Sequence, residues 1–340
     1  MKVTADDVAE KAGVSRATVD RVLNGRGNVK KSTAERVYRA VFSVNYLTNL
    51  MPDASERITC KLDFIFPTLK TGYFNAFVEE IENSAISFAR LNTHVKSHMT
   101  DNLSAETLAA KILEIGEDTD GIAFVAVDHA LVREAVDRLA QNGVGIVSIV
   151  SDLSRSKRLA YVGLDNRAAG RTAGTLMGRF LGQHETGKIA LFPGRLNYRA
   201  HEEREAGFRS VIQESFSRFE IMIMPTPQYD NGASFLQAAK LLEESPNLVG
   251  IYNTGGATEG IADAVRSAGK QKDVVFIAHE LTHFTRGYLF DNSIDVIINQ
   301  DIRHEIFCAV ELLLRHKRQE ASNLHGPQPL IQICLSENVY

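Results

Sequence analysis

The sequence predicts two parts of different fold class: a small all-α head and a larger α/β body of two lobes with parallel sheets. Three observations predict this division. In the first fifty residues, apolar side chains recur at helical spacing and glycine interrupts the pattern. The remainder alternates continuous apolar runs with amphipathic stretches, which is typical of strands and helices in turn. At 340 residues, the chain is also longer than a single hydrophobic core usually serves.

The charge and composition of the chain indicate what kind of partner it binds and in which cellular compartment it works. Hydrophobic residues make up 44% of the chain and charged residues 24%, as in folded globular proteins. The first fifty residues carry nine bases and five acids, a formal +4 within a chain of net charge −4, which suggests that the head meets a polyanion. Three scattered cysteines favour a reducing compartment. Neither a signal peptide nor an apolar run of membrane-spanning length is apparent, so we expect a cytoplasmic protein with no membrane partner.

Two short helices joined by a tight turn are predicted in the head. Thr4 and Ser15 stand at N-cap positions, and Gly13 ends the first helix. Helix, glycine turn and helix form the arrangement of a helix-turn-helix unit, whose second helix enters the major groove of DNA. A third helix from about Ser32 to Asn45 would close a small core.

The residues of this head resemble those of a known family. The run VTADDVAEKAGVSRATVDRVLN and the later Asn45-Tyr46 are similar, almost position for position, to the headpiece of lactose/galactose repressor (LacI-type) regulators. The resemblance implies binding of double-stranded operator DNA, with a head over 1–48 and a hinge or linker over 49–58. It implies DNA contacts by Thr4, Ser15, Arg16, Ala17, Thr18, Arg21, Asn24, Asn28 and Tyr46. Arg16, Ala17 and Arg21 take the base-reading positions, and a guanidinium can bond bidentately to guanine.

The head and hinge depart from the family pattern in places. Asp20 replaces a small hydroxyl residue, so that an acid faces phosphate unless a neighbouring base neutralises it. In the hinge, Pro52 and Ser55 stand where the family has alanine and leucine. The sequence predicts a weakly helical hinge, or else a displaced one in which Leu50 or Met51 acts as the minor-groove wedge.

The body, residues 59–340, reads as two successive α/β halves. Continuous apolar strands separated by helices indicate parallel sheets that are covered on both faces. We expect lobe 1 to contain about 59–160 and 290–318, and lobe 2 to contain about 161–289 and 328–340.

The carboxyl ends of the predicted strands carry polar and aromatic residues, and open α/β sheets bind ligands at these ends. The body also resembles the type I periplasmic sugar-binding fold that LacI-type regulators carry as an effector domain, through the motifs VGLDNRAAG, YRAHEEREAGF, VVFIAHELT and VIINQD. Both observations favour a small sugar, polyol or related metabolite bound between the lobes.

Eleven residues are candidates for contact with this effector. The strand ends suggest Tyr73, Phe74, Asp128, Ser151 and Tyr198. The resemblance implies sugar-binding roles for Arg199 or Arg204, Asn253 or Thr254, Glu280 and Gln300. Both arginines stay candidates because Glu202 occupies the position where the family most often has arginine.

Two other functions find some support. His279-Glu280-x-x-His283 matches a zinc-hydrolase motif, with Glu305 as a third ligand, but such a site needs both histidines one turn apart within a helix. The apolar run before His279 predicts a strand instead, so we expect no enzyme, no metal and no cofactor. A transport receptor would need a signal peptide and would not carry a DNA-binding head. We therefore expect a ligand-responsive regulator, by the family default a repressor, that acts as a homodimer on paired half-sites.

Overall fold

The computed structural model covers most of the body and part of the head. It describes residues 4–23, 29–30, 33–34, 36–37, 40, 60–68, 72–100, 104–182, 184–194, 198–225, 230–320 and 329–339. Most of the predicted third helix, the hinge over 49–58 and three predicted DNA contacts (Asn24, Asn28 and Tyr46) lie outside the described residues.

The head begins with two helices, α1 (Ala5–Ala12) and α2 (Arg16–Leu23), as predicted. The hydroxyl of Thr4 caps α1. The hydroxyl of Ser15 caps α2 by accepting a hydrogen bond from the backbone N–H of Thr18 at 3.3 Å. Gly13 ends α1 in the left-handed conformation, with φ of 62°, which glycine adopts without steric cost. The apolar faces meet in a small core that contains Val8, Ala9, Ala12, Val19, Val22, Val37 and Ala40.

Lobe 1 is built on a five-stranded parallel sheet. Its elements in chain order are β1 (Cys60–Pro67), α3 (Tyr73–Arg90), β2 (Thr93–Thr100), α4 (Ala105–Ile115), β3 (Gly121–Phe124), α5 (Ala130–Gln141), β4 (Gly145–Ile149) and β5 (Ala160–Val162). The strand order is β2-β1-β3-β4-β5. Phe64, Phe124 and Ile146 are fully buried, since helices cover the sheet on both faces.

Lobe 2 is built on a six-stranded sheet. Its elements are α6 (Asn166–Phe180), β6 (Gly187–Phe192), α7 (Arg199–Ser215), β7 (Phe219–Ile223), α8 (Asn231–Glu244), β8 (Leu248–Asn253), α9 (Thr258–Ser267), β9 (Val275–His279), α10 (His283–Phe290), β10 (Val296–Asn299) and β11 (Gln332–Cys334). The strand order is β11-β10-β9-β8-β6-β7, and the edge strand β11 runs antiparallel to β10. The other pairs are parallel, as predicted.

The chain crosses between the lobes at other residues than predicted. The sequence assigned 290–318 to lobe 1, but β10 pairs with β9 in the sheet of lobe 2. The chain returns to lobe 1 after Gln300, where α11 (Ile302–Lys317) packs into the core of lobe 1. In addition, β5 carries lobe 1 past the predicted limit at residue 160. An apolar run shows that a strand is buried, but it does not show which sheet the strand joins.

Within the described ranges, no helix combines the length and the apolar character needed to cross a bilayer.

Candidate functional site

A narrow cleft separates the two lobes at the carboxyl ends of their strands. Phe74, Val125, Val150 and Ser151 of lobe 1 line it, together with Tyr198, Ala200, His201, Arg204 and Glu280 of lobe 2. Five of the eleven predicted effector residues are in this set. The free space is little larger than a water molecule, so a sugar-sized effector fits when the lobes move apart.

Arg204 lies at the centre of the lobe 2 wall and is 2% exposed. Its Nε donates to Oδ1 of Asn166 at 2.8 Å, and its Nη1 donates to the carbonyl of Thr254 at 2.9 Å. Helices α6 and α7 approach so closely that a Cβ on Gly170 would lie 2.0 Å from the carbonyl oxygen of Arg204. The two glycine-containing helices therefore fix the backbone from which this guanidinium projects.

Asn253 and Thr254 support Arg204 and do not line the cleft. Both are buried, at 1% and 0% exposure. The amide of Asn253 donates to the carbonyl of Gly256 at 2.9 Å, and the hydroxyl of Thr254 accepts from the backbone N–H of Gly194 at 2.7 Å. These bonds shape the turn after β8. The carbonyl of Thr254 in this turn accepts from Arg204 and so orients its guanidinium.

Two residues on opposite walls of the cleft have left-handed backbones. Val150, at the end of β4, has φ of 63°, and Glu280, at the end of β9, has φ of 75°. This conformation is unfavourable for a side chain and rare for a β-branched one, and such strain concentrates at functional sites. Burial also raises the pKa of Glu280 above its ordinary value.

Tyr73 and Gln300 connect the walls. They are 1% and 3% exposed, and the amide nitrogen of Gln300, just after β10, donates to the hydroxyl of Tyr73, in α3. The amide oxygen of Gln300 has no hydrogen-bond partner among the described residues. Both predicted residues thus lie at the junction of the lobes, beside the lining residues.

Arg199 and Asp128 lie away from the cleft lining. The guanidinium of Arg199 lies 3.8 Å from the carboxylate of Asp152 in lobe 1, and its side chain is 38% exposed. Asp128 accepts a hydrogen bond from Arg133 at 2.5 Å. Of the two candidate arginines, Arg204 therefore lines the cleft, whereas Arg199 joins the lobes near the surface.

Sequence reasoning missed three residues of this region. Asn166 orients Arg204, and His201 lines the cleft. Glu305, in the first turn of α11, is completely buried, although the sequence suggested it only as a zinc ligand. An acid in the first turn of a helix is favourable when it is exposed, so its position gave no sign of burial.

The zinc-hydrolase motif spans a strand-to-helix turn, as the sequence predicted. His279 ends β9, is 1% exposed and lies 2.9 Å from the hydroxyl of Tyr252, whereas His283 begins α10 and is exposed. No group of three or more His, Cys, Asp or Glu in the described part of the chain is arranged to hold a metal ion.

The predicted base-reading residues of α2 are on the surface of the head. Arg16, Ala17 and Arg21 are exposed, and Arg16 forms an ion pair with Asp6 at 3.1 Å. Their exposure leaves them able to reach base edges. The hydroxyls of the other predicted contacts within the described head take part in hydrogen bonds at the helix starts: Thr4, Ser15 and Thr18.

Comparison with known proteins identifies both parts of the chain. Residues 4–49 match the model of bacterial regulatory proteins of the lacI family, and residues 62–321 match that of the periplasmic binding protein domain. The catabolite control protein A of Priestia megaterium is 25% identical over 264 residues, 74% of each chain. The HTH-type transcriptional repressor PurR of Erwinia tasmaniensis is 24% identical over 250 residues, 72% of this chain and 71% of the relative.

Solved structures match the fold of the body. A solute-binding protein from Burkholderia graminis, in complex with D-arabinose, superposes with a TM-score of 0.73 over 82% of this chain and 96% of its own, at 20% identity. One from Actinobacillus succinogenes, with bound D-allose, gives 0.73 over 82% and 98%, at 18% identity. These matches confirm the two-lobed fold, and none of the relatives named here supports the hydrolase alternative. With its helix-turn-helix head and its periplasmic-binding-protein body, the chain is a DNA-binding transcriptional regulator that belongs to the lacI family.

Proposed function

We propose that this regulator represses transcription from an operator that it binds as a homodimer, and that a small hydroxyl-rich effector bound between its lobes relieves the repression. The observation that carries the proposal is the convergence of Arg204, Glu280 and Ser151 on one interlobe cleft. Both walls of that cleft contain strained backbone, which is unfavourable for stability and common at binding sites.

The polar groups of the cleft suit a sugar or polyol. Arg204 commits Nε and Nη1 to the protein, which leaves its remaining N–H groups to donate to hydroxyl oxygens. Glu280 and Gln300 offer oxygens that accept from hydroxyl hydrogens. The D-arabinose and D-allose complexes of the two structural relatives support the same class of ligand.

Effector binding is coupled to the relative position of the lobes. Three contacts join the lobes: Tyr73 with Gln300, Ser151 with the backbone N–H of Ala200 at 3.4 Å, and Arg199 with Asp152. An effector that enters the narrow cleft replaces some of these contacts. Its differential affinity for the two arrangements of the lobes then shifts the relative position of the paired heads.

A homodimer gives the operator two heads to read two half-sites. Among the described residues, seven of the ten exposed large hydrophobic side chains belong to lobe 2: Phe180, Ile223, Leu236, Phe284, Phe290, Leu330 and Ile333. We place the dimer interface on this lobe, because association would remove this exposed apolar surface from water. Binding to chromosomal DNA requires the cytoplasm, and the three buried cysteines are free thiols, as that compartment favours. We propose that the protein acts as a regulator without enzymatic activity.

Two measurements test this function. In a thermal-shift screen of sugars, polyols and sugar acids, at least one compound should raise the melting temperature, because a ligand of the native state stabilises that state.

The second measurement concerns the head. Arg21→Ala should abolish discrimination between the selected operator and scrambled DNA while effector binding stays unchanged. As a control, Lys11→Ala changes an exposed base outside α2 and should preserve discrimination. Intact discrimination in Arg21→Ala would reject the assignment of α2 as the recognition helix.

A further inference from the structure

A fully buried carboxylate stands beside the junction of the lobes. Glu305 is 0% exposed, and neither of its carboxylate oxygens has a hydrogen-bond partner among the described residues. It lies in the first turn of α11, which begins two residues after Gln300 and packs into lobe 1. A buried acid without a donor destabilises the fold, and an apolar side chain at this position would cost less.

A second buried acceptor, without a partner in the described part of the chain, lies two residues before α11. The amide oxygen of Gln300 is also buried without a partner among the described residues, and the amide nitrogen of Gln300 is bound to Tyr73. The positive charge of Arg204 partly opposes the effect of burial on the pKa of Glu305, but its guanidinium donates to Asn166 and Thr254. The carboxyl of Glu305 and the amide oxygen of Gln300 are therefore both buried without partners among the described protein groups.

We propose that Glu305 binds a protonated amine of the effector, so that the effector is an amino sugar or another amine-bearing polyol. This inference rests on the proposed function, because it assumes that the effector binds between the lobes. An ammonium group carries three N–H donors, which match the two oxygens of Glu305 and the amide oxygen of Gln300. The ion pair would also be strong in a site that excludes water.

The protonation of Glu305 gives the proposal a second consequence. Burial raises the pKa of this carboxyl well above its ordinary value of 4.5, which favours its protonated form in the ligand-free protein. The titratable and charged groups that interact with it come from four elements: Arg204 in α7, Tyr73 in α3, Tyr161 in β5, and Asp301 and Cys308 at and within α11. Binding of an ammonium ionises Glu305 and releases its proton to solvent.

Affinity for an amine should therefore rise with pH, by up to about tenfold per pH unit, until Glu305 is ionised in the free protein or the amine loses its own proton. Affinity for a neutral sugar should not follow this trend. Calorimetry in two buffers of different ionisation enthalpy measures the released proton directly.

The experiment compares matched probes on the full chain. D-glucose, D-galactose and D-mannose are titrated beside D-glucosamine, D-galactosamine and D-mannosamine by calorimetry. We expect at least one amine to bind at least about tenfold more tightly than its neutral counterpart, as one buried ion pair would give. Glu305→Gln, which keeps the shape and removes the charge, should lose this preference. Glu311→Gln, an exposed position in the same helix, should retain it.

Each outcome separates this inference from the function on which it rests. Neutral sugars that bind as tightly as their amines would overturn the inference and leave the proposed function intact. If neither class binds, the inference is overturned, and the wider screen of polyols and sugar acids decides the proposed function. Glu305→Leu tests a purely structural role: a ligand-free melting temperature at or above that of the wild type supports the inference, whereas a large fall shared by Glu305→Gln would overturn it.

Discussion

The two walls of the cleft are built from different chemistry. The wall of lobe 1 is mainly apolar, with Phe74, Val125 and Val150, whereas that of lobe 2 carries Arg204 and Glu280. Apart from Ser151 and the amine contact proposed for Glu305, polar recognition is therefore concentrated in lobe 2, and the apolar wall of lobe 1 supplies the surface that covers the ligand. Substitutions in the polar wall of lobe 2 should chiefly cost effector affinity, and substitutions in the apolar wall of lobe 1 should chiefly affect closure.

The apolar wall is rigid because aromatic rings pack behind it. Tyr73 and Phe77 lie 5.5 Å apart between ring centroids in an edge-to-face arrangement, and Phe66 and Phe77 lie 5.3 Å apart. Such pairs add about 0.5–1.5 kcal/mol each beyond their burial. This packing holds the hydroxyl of Tyr73 in place for Gln300.

The largest effect is expected on the polar wall. Arg204→Ala should reduce effector affinity by at least about a hundredfold, as loss of charge-assisted bonds allows, and should lower the free energy of unfolding by about 2–4 kcal/mol, since the acceptors of Asn166 and Thr254 lose their donor. Calorimetry and urea unfolding measure both quantities. Arg209→Ala, an exposed arginine paired with Glu205 on the same helix, should stay within about 0.5 kcal/mol of the wild type. Unchanged affinity in a folded Arg204→Ala chain would contradict the comparison.

The second largest effect is a pH dependence of the free energy of unfolding, which we expect from Glu305 in α11. The folded state keeps a proton on Glu305 that the unfolded state releases above pH 4.5, so this residue lowers stability as pH rises from that value towards its raised folded pKa. The free energy of unfolding, relative to Glu305→Gln, should fall by about 1.4 kcal/mol per pH unit in this window. Urea denaturation of both chains from about pH 4 upward measures the difference. Parallel stability profiles would show that Glu305 is not neutral in the fold.

A smaller effect is expected at the junction of the walls. Tyr73→Phe removes the hydroxyl that accepts from Gln300 and leaves the aromatic packing in place. The loss should cost about 0.5–1.5 kcal/mol of stability and change effector affinity by less than about tenfold. If affinity falls as far as in Arg204→Ala, the two walls do not differ in the way described.

The smallest effect is expected at the rim. Arg199→Ala removes a pair at 3.8 Å with Asp152 across the lobes and a closer pair at 2.6 Å with Glu203 within α7. Both pairs are partly exposed, so the variant should change the free energy of closure by less than about 1 kcal/mol. Because salt screens exposed charges, the difference between variant and wild-type affinity should shrink further at high ionic strength. An effect that grew with added salt would exclude this electrostatic explanation.

The sequence predicts the elements of the fold closely. Helices α1 and α2 begin after the predicted N-cap residues Thr4 and Ser15, and Gly13 ends α1 as predicted. The predicted assignment of β10 to lobe 1 was wrong, because β10 pairs with β9 of lobe 2. Hydrophobic periodicity does not show which strands pair.

The site was less predictable than the fold. The resemblance left Arg199 and Arg204 open, since the difference between them is burial, which depends on the close approach of α6 and α7. The support that Thr254 gives to Arg204 passes through a backbone carbonyl, so its side chain gave no sign of it. Glu305 was hidden for the same physical reason: burial of a first-turn acid is decided by tertiary packing.

Operator binding with and without effector tests the central claim most directly. Fluorescence anisotropy of a labelled operator, selected from random DNA, is measured on the full chain at saturating concentration of the ligand that the thermal-shift screen identifies. We predict that operator affinity falls by at least about tenfold in the wild type, a typical coupling between two sites, and stays constant in Arg204→Ala. Equal operator affinity with and without saturating effector in the wild type would contradict it.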